Sequence, residues 1–425
     1  MTTVDNGIGP SEALAKLFTP EGKREPYGLY EALKELGPVV KLGPKLAFVL
    51  GYDACAAALR EPGLLVTDAA AHRKTGMIEH SSWQCFTKIM MFSNGDDHER
   101  LKGFSRWAYH PRSISGLEPM IRAKANALAE RLATLDGDSV DLVEGFSSRL
   151  TLAVTGELYG IPASDQIALR SVITDTTTAF EPIFDLRELA TGDSGMDVLV
   201  DYMAALAADR RKNPRDDLTT RMVREADATG TISTEELVAG LVMFLIAGVQ
   251  SPSDLIAAAI RTALTEPSRF RADEIDSFMT EVLRFDPPSQ VLTRIAGTDL
   301  TLDGVPVQAG ARVLVLLAAA NRDPARFTEP EVFEPRRAPN RPLSFGVGLH
   351  YCLGAQLARI QATVGLATLT GTYPRMSLVS EPRYRDQLVQ RGLARLEVDL
   401  KKSQRHREGA VQSSRNSGEY SSNQW

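Results

Sequence analysis

Apolar residues recur at three- and four-residue spacing through most of the chain, the period of a helix with one buried face. "RAKANALAERLATL" (122–135) and "QLARIQATVGLATLTGTY" (356–373) carry this pattern and predict helices. A third helix is marked by its start signal. Ser233 and Glu236 have capping-box spacing, and "LVAGLVMFLIAG" (237–248) follows as a buried body. Strand patterns are short: "PVVKL" (38–42) and "LAFVL" (46–50) flank Gly43-Pro44, and "DLTLDGVPV" (299–307) precedes "ARVLVLL" (311–317). The pattern predicts a mainly α fold with small β-sheets and no internal repeat. From residue 401 to 425 the chain is too polar to offset its ordering entropy by burial, so a disordered tail is expected after one large domain spanning 1–400.

Charge changes this picture only by exclusion. With 48 basic and 54 acidic residues the net charge is −6, which argues against nucleic acid as a partner. The N-terminal "MTTVDNGIGPSEALAKLF" lacks the basic flank, apolar core and small-residue cleavage site of a signal peptide. The most apolar run, Leu237 to Ile246, is shorter than the roughly 20 residues a bilayer requires. A soluble, cytoplasmic protein with no membrane partner is therefore expected.

Three cysteines in 425 residues are too few and too scattered for a disulfide framework or a zinc cluster. Cys352 nonetheless sits in an unusual setting, "LSFGVGLHYCLGAQLARIQ" (343–361), between glycines and the start of a helical pattern. A lone cysteine is ordinarily a small core residue. A thiolate that ligates a metal, by contrast, gains from the N–H donors and positive dipole end of a helix start. Gly346, Gly348 and Gly354 would let the backbone turn tightly and approach a flat ligand, and Phe345 would keep water from the sulfur.

"FGVGLHYCLG" resembles the haem-binding loop of the cytochrome P-450 superfamily, Phe-x-x-Gly-x-x-x-Cys-x-Gly, with Phe345, Gly348, Cys352 and Gly354 in those places. The resemblance runs from about residue 38 to residue 400. It implies a single haem-enclosing domain with haem b held by the Cys352 thiolate, the ligand type that favours O–O cleavage. It also places His350 at a haem propionate. "EVLRFDPPSQVLTRIA" (281–296) then supplies the family's Glu-x-x-Arg pair as Glu281 and Arg284, and a propionate-binding arginine as Arg294. "AANRDPARFTEPEVFEPRR" (319–337) is similar to the family's meander, one of whose arginines completes the ion network. In "DDHERLKGFSRWAYHPR" (96–112) the family's His and Arg, four apart, become His98 and Lys102; lysine keeps the charge but lacks the bidentate fork. Arg100, Arg106 and Arg359 would form a basic patch for an acidic ferredoxin, which with its reductase supplies electrons.

The central helix departs from the family pattern. Where typical monooxygenases carry an acid and a threonine, this chain reads "AGVQSPSD" (247–254), with Gln250, Ser251 and Pro252. A Gln amide orients water but does not titrate. Ser251 keeps a hydroxyl that can bond back to the Ala247 carbonyl. Pro252 has no N–H for the Gly248 carbonyl, so a kink is expected there, with that carbonyl open to water or ligand. Asp254 reads as too far along to replace the acid.

The resemblance builds the substrate pocket from separated segments: Trp83, Phe86 and Met90 before His98; Phe180 and Phe184; Met243 and Phe244 on the central helix; Val291 and Leu292; and Leu388 near the C-terminal hairpin. For each aromatic the plain alternative is core packing. The implied activity is haem-thiolate monooxygenation of a mid-sized secondary metabolite, such as an antibiotic precursor, using dioxygen and ferredoxin electrons. The alternative, motivated by Gln250–Pro252, is oxidative coupling or cyclisation without oxygen insertion, or a peroxide-driven oxidation. A substrate arriving free and one tethered to a carrier protein both remain open.

Overall fold

The computed structural model describes residues 9–68, 76–135, 139–182 and 185–401, so Phe184 and nearly all of the polar tail lie outside the described residues. The helices that frame the site are α1 (Ser81–Phe86), α2 (Gly95–Arg106), α3 (Glu118–Ala133), α4 (Ser148–Tyr159), α5 (Ala163–Thr176), α6 (Ala190–Lys212), α7 (Thr234–Thr265), α8 (Ile275–Phe285) and α9 (Ala355–Thr372). The 122–135 and 356–373 patterns thus become α3 and α9, and the fold is mainly α with small sheets.

The capping box at the start of α7 forms in both directions. Ser233 Oγ accepts from the Glu236 N–H at 3.1 Å, and Glu236 Oε2 accepts from the Ser233 N–H at 2.9 Å. From there α7 runs 32 residues, continuing through Pro252 rather than ending at it. Among the described residues α7 alone is long and apolar enough to cross a bilayer, yet its apolar faces are spent on neighbouring helices. Its N-terminal half, from Leu237 to Val249, packs with α1, α5 and α6 in one core. Its C-terminal half, from Leu255 to Ala263, packs with α3, α8 and α9 in a second. Between the two lies the polar interruption Gln250–Asp254.

The five-stranded sheet comprises β1 (Val39–Lys41), β2 (Leu46–Val49), β3 (Leu64–Leu65), β4 (Val291–Ala296) and β5 (Arg312–Leu316), in the spatial order β1-β2-β5-β4-β3. β1 and β2 form the expected antiparallel pair, with Val39 opposite Val49. β5 runs parallel to β2 and antiparallel to β4, setting Arg294 opposite Val313. Residues 300–307 fold into a separate hairpin that leaves Asp303-Gly304 as its two-residue turn. The pleat alternates faces along β4. Val291 is buried in the core beneath the N-terminal helices, while Leu292 and Arg294 share the opposite face.

Candidate functional site

The loop before α9 presents Cys352. Gly346 and Gly348 both adopt positive φ, 68° and 80°, and a Cβ on Gly348 would stand 2.8 Å from the Leu59 carbonyl oxygen. The loop is closed by Gly346 N–H to Leu343 O at 2.7 Å and Cys352 N–H to Phe345 O at 3.0 Å. Phe345 is half-buried against the second core. Cys55 and Cys85 are buried, and burial pushes the Cys85 thiol up to about 12; Cys352 alone is exposed. Burial nevertheless raises the Cys352 pKa, with the Gly354 N–H acting in the opposite sense as a donor to the sulfur. Leu353 packs on the core cluster of the N-terminal half of α7, so the loop and the long helix face the same region.

His98 and Lys102 on α2, Arg294 on β4 and His350 in the cysteine loop converge. The two imidazoles lie 4.1 Å apart between ring centroids. His98 Nδ1 is 2.9 Å from the Met90 carbonyl oxygen, and its buried Nε2 has no partner. Arg294 is 7% exposed and bonds only the neighbouring Thr293 carbonyl; burial holds its pKa down to about 10. Lys102 Nζ donates to the Leu349 carbonyl. Burial, then His98, Arg294 and Lys102, depress the His350 pKa to about 3. Among the described residues no carboxylate bonds any of the four. Trp107 Nε1, one residue beyond α2, is also buried without a partner. Such a set suits a ligand with two carboxylates at the edge of a flat apolar body.

Beneath this region Glu281 and Arg284 form an ion pair whose side chains are 0% exposed, far from the surface pair that three-residue helical spacing usually means. Arg337, from the meander segment, joins at 3.3 Å, and Asn340 Nδ2 donates to Glu281 at 2.8 Å. Arg284 also bonds the carbonyls of Asn321, Pro330 and Val332, tying α8 to the segment that leads into the cysteine loop.

On α7 the structure corrects several expectations. The Gly248 carbonyl freed by Pro252 is taken by Thr155 Oγ1 of α4 at 3.1 Å, so it is not left open to ligand. Ser251 bonds back to the Ala247 carbonyl at 3.3 Å as expected and stays partly accessible. Ala247 is exposed although most of its helical neighbours are buried, which marks the open face of α7. Gln250 is buried away from that face. Its Oε1 accepts from Thr174 Oγ1 at 3.1 Å, and its Nε2 donates to both Asp254 oxygens at 3.3 Å. Asp254, one turn along, is therefore within direct reach of Gln250.

The aromatic candidates divide in the same way. Trp83 and Phe86 are buried and form a cluster with Phe92 and Phe180; Phe86 stacks on Phe180 at 4.6 Å. Met90 and Phe180 are half-buried at the rim of that cluster. Met243 and Phe244 are buried, the Phe244 ring lying against Tyr109 at 5.2 Å and Tyr159 at 6.4 Å. Val291 and Leu388 are likewise core, 2% and 1% exposed in one cluster with Tyr30 and Leu33. Leu292 does face the cysteine loop, its Cδ1 3.9 Å from the Cβ position of Gly346. Arg100 leaves the expected basic patch, since Glu236 holds it at 2.6 Å and Asp97 at 3.0 Å. Arg359 bonds Thr280, and Arg106 is exposed. A surface cleft of about 670 Å³ near Asp286 and Arg391 shares no residue with this site. Phe92 and Thr155 were not anticipated, and Ala247 was expected only as the acceptor for Ser251, not as an exposed position. Only Ala247 carried a signal, standing four residues before Ser251 and so on the same helical face.

The family model described as Cytochrome P450 matches residues 275–374, which contain the buried ion pair, the meander and the cysteine loop. The vitamin D(3) 25-hydroxylase of Pseudonocardia autotrophica is 34% identical over 327 residues, covering 74% of this chain and 78% of that protein. The crystal structure of P450BioI in complex with a hexadec-9Z-enoic acid ligated acyl carrier protein superposes with a TM-score of 0.82 at 28% identity, over 89% of this chain and 99% of that one. CxnD, a cytochrome P450 for C–S bond formation in chuangxinmycin biosynthesis, does so with a TM-score of 0.81 at 28% identity, over 91% and 96%. The chain belongs to the cytochrome P450 family and is an oxidoreductase of bacterial type with a haem cofactor. Its residues fit that cofactor: an accessible thiol on a glycine loop for iron, and four basic side chains without an acid for the propionates.

Proposed function

We propose that the protein is a haem-thiolate monooxygenase that oxidises a mid-sized secondary metabolite in the cytoplasm, using dioxygen and two electrons from a ferredoxin and its reductase. The observation that carries this reading is the pairing of Cys352, bonded by the Gly354 N–H, with the acid-free cluster His98, Lys102, Arg294 and His350. Haem b, when bound, supplies dioxygen binding and its reductive activation. Cys352 ligates the iron, and the four bases orient the propionates. Arg294 carries the strongest demand for an anion, since its charge is buried and bonds only backbone. Ser251 is the hydroxyl on the open face of α7, where with the Ala247 carbonyl it can seat one water. Gln250 does not titrate and faces away, so protons come from water or from the substrate's own groups. The acyl carrier complex of P450BioI supports a carrier-bound substrate as one mode of delivery, and the exposed Arg106 supports electrostatic docking of ferredoxin.

A second reading, oxidative coupling or cyclisation without oxygen insertion, or peroxide-driven oxidation, is favoured by one feature, the absence of an acid–threonine pair at 250–251. The C–S bond-forming neighbour keeps company with it. Turnover under isotopically labelled dioxygen separates the readings. Monooxygenation places one labelled oxygen in the product and coupling places none, while a parallel turnover with labelled peroxide that labels the product points to the peroxide route.

A further inference from the structure

The amide at position 250 and the acid at position 254 are explained together by a closed ring of hydrogen bonds. Thr174 Oγ1 donates to Gln250 Oε1 at 3.1 Å, and Gln250 Nε2 donates to Asp254 at 3.3 Å. Arg385 Nη2 donates to Asp254 Oδ2 at 2.7 Å and its Nε donates to Gln387 Oε1 at 2.9 Å. Gln387 Nε2 donates to Thr177 Oγ1 at 3.1 Å, and Thr177 Oγ1 donates to the Thr174 carbonyl at 2.7 Å, which closes the circuit. The ring joins three pieces of chain: the end of α5 with the turn that follows, the middle of α7, and the C-terminal hairpin. Asp254 fixes the amide orientation, because only the NH₂ end of Gln250 can face a carboxylate. An acid at position 250 would set two carboxylates about as far apart as this hydrogen bond and would repel. Gly392 lets the hairpin backbone close over the pair, since a Cβ there would lie 2.1 Å from Asp254 Oδ1. The hairpin also grips the segment beyond α5, its Leu388 and Val389 N–H groups donating to Glu181 at 2.7 and 2.9 Å.

Phe180 belongs to the gripped segment, stacks on Phe86 and packs on the core cluster that holds the N-terminal half of α7, and we read it as the roof of the space beside Ala247. We propose that Gln250 and Asp254 are positioning residues: with Arg385 and Gln387 they fasten the roof segment 174–181 to α7 and the hairpin, and ligand passes only when this ring opens. The departure at position 250 is then a fastener rather than an altered proton relay. This rests on the reading of the space beside Ala247 as the substrate cavity.

The test uses full-length ferric holoprotein and 4-phenylimidazole as probe, its release followed by stopped-flow haem absorbance. Amide hydrogen exchange across residues 170–181 is measured in parallel without ligand. Thr174→Val and Gln387→Leu should each speed release and exchange about fivefold, the scale of one neutral hydrogen bond. The double variant should be no faster than the faster single, because either break opens the same ring. Gln250→Glu should speed both readouts. Unchanged rates, independent multiplicative effects, or slower exchange in Gln250→Glu would overturn the proposal. Exchange reads the backbone amides of 170–181 and needs no haem absorbance signal, so a chain that does not load haem as a thiolate complex would defeat the proposed function while leaving the ring testable.

Discussion

Replacing Glu281 by Gln takes the acid out of a cluster whose central pair, Glu281 and Arg284, is 0% exposed. Glu281 accepts from Arg284 Nε and Nη2 at 2.8 and 2.7 Å, from Arg337 Nε at 3.3 Å, and from Asn340 Nδ2 and the Glu334 N–H at 2.8 Å each. The glutamine keeps the volume and one oxygen but turns an NH₂ toward groups that are themselves donors. The Arg284 guanidinium then stays fully buried without a counter-charge. Losing one partner of a buried ion pair costs about 3–5 kcal/mol, against a total of about 5–15 kcal/mol for a typical native protein. Glu118→Gln is the matching control. Arg122 bonds Glu118 at the same 2.7 Å, but those side chains are 50% and 49% exposed. Water replaces either partner there, so the expected cost stays below about 1 kcal/mol. Urea unfolding of both holoprotein variants, followed by far-ultraviolet circular dichroism, gives the two midpoints. Coinciding midpoints would refute the argument that burial, not contact length, sets the worth of the pair.

Arg294→Leu should weaken haem retention about 10- to 100-fold, the scale of one charge-assisted hydrogen bond, read as transfer of haem to an apoglobin acceptor. An unchanged transfer rate would argue against a propionate partner. Acid sensitivity should centre on Asp286, which burial alone would raise but which Arg391, Arg261, the Tyr27 hydroxyl and Arg322 hold down to about 2 against an ordinary 3.8. A depressed carboxylate stabilises the fold above its unfolded value and loses that contribution as pH falls through its folded one, here about 2 kcal/mol lost between about pH 4 and pH 2. The stability gap between wild type and Asp286→Asn should therefore shrink on acidification; a gap independent of pH would contradict the assignment.

What could be read in the chain was local. The capping box at Ser233, the strand pair around Gly43-Pro44 and the glycine-flanked Cys352 each depend on neighbours a few residues away, and each appears in the structure. The distal side was less legible because its partners are remote in sequence. Thr155 meets the Gly248 carbonyl from 93 residues away, and Arg385 meets Asp254 from 131. Asp254 reads as too far along to replace an acid at position 250, yet the structure bonds it directly to Gln250, and nothing local shows which way that face of α7 turns. The same limit hid the packing of Phe244, whose partners Tyr109 and Tyr159 come from other elements, and the exposure of Ala247, three places on.

The most direct measurement is the absorbance of the reduced, carbon-monoxide-bound holoprotein in three variants, Cys352→Ser, Cys55→Ser and Cys85→Ser. The account predicts the long-wavelength band of thiolate-ligated haem in wild type and in the two buried-cysteine variants, and its loss in Cys352→Ser alone. A thiolate band that survives Cys352→Ser, or that disappears with Cys55 or Cys85 instead, would contradict the assignment of the iron to this loop.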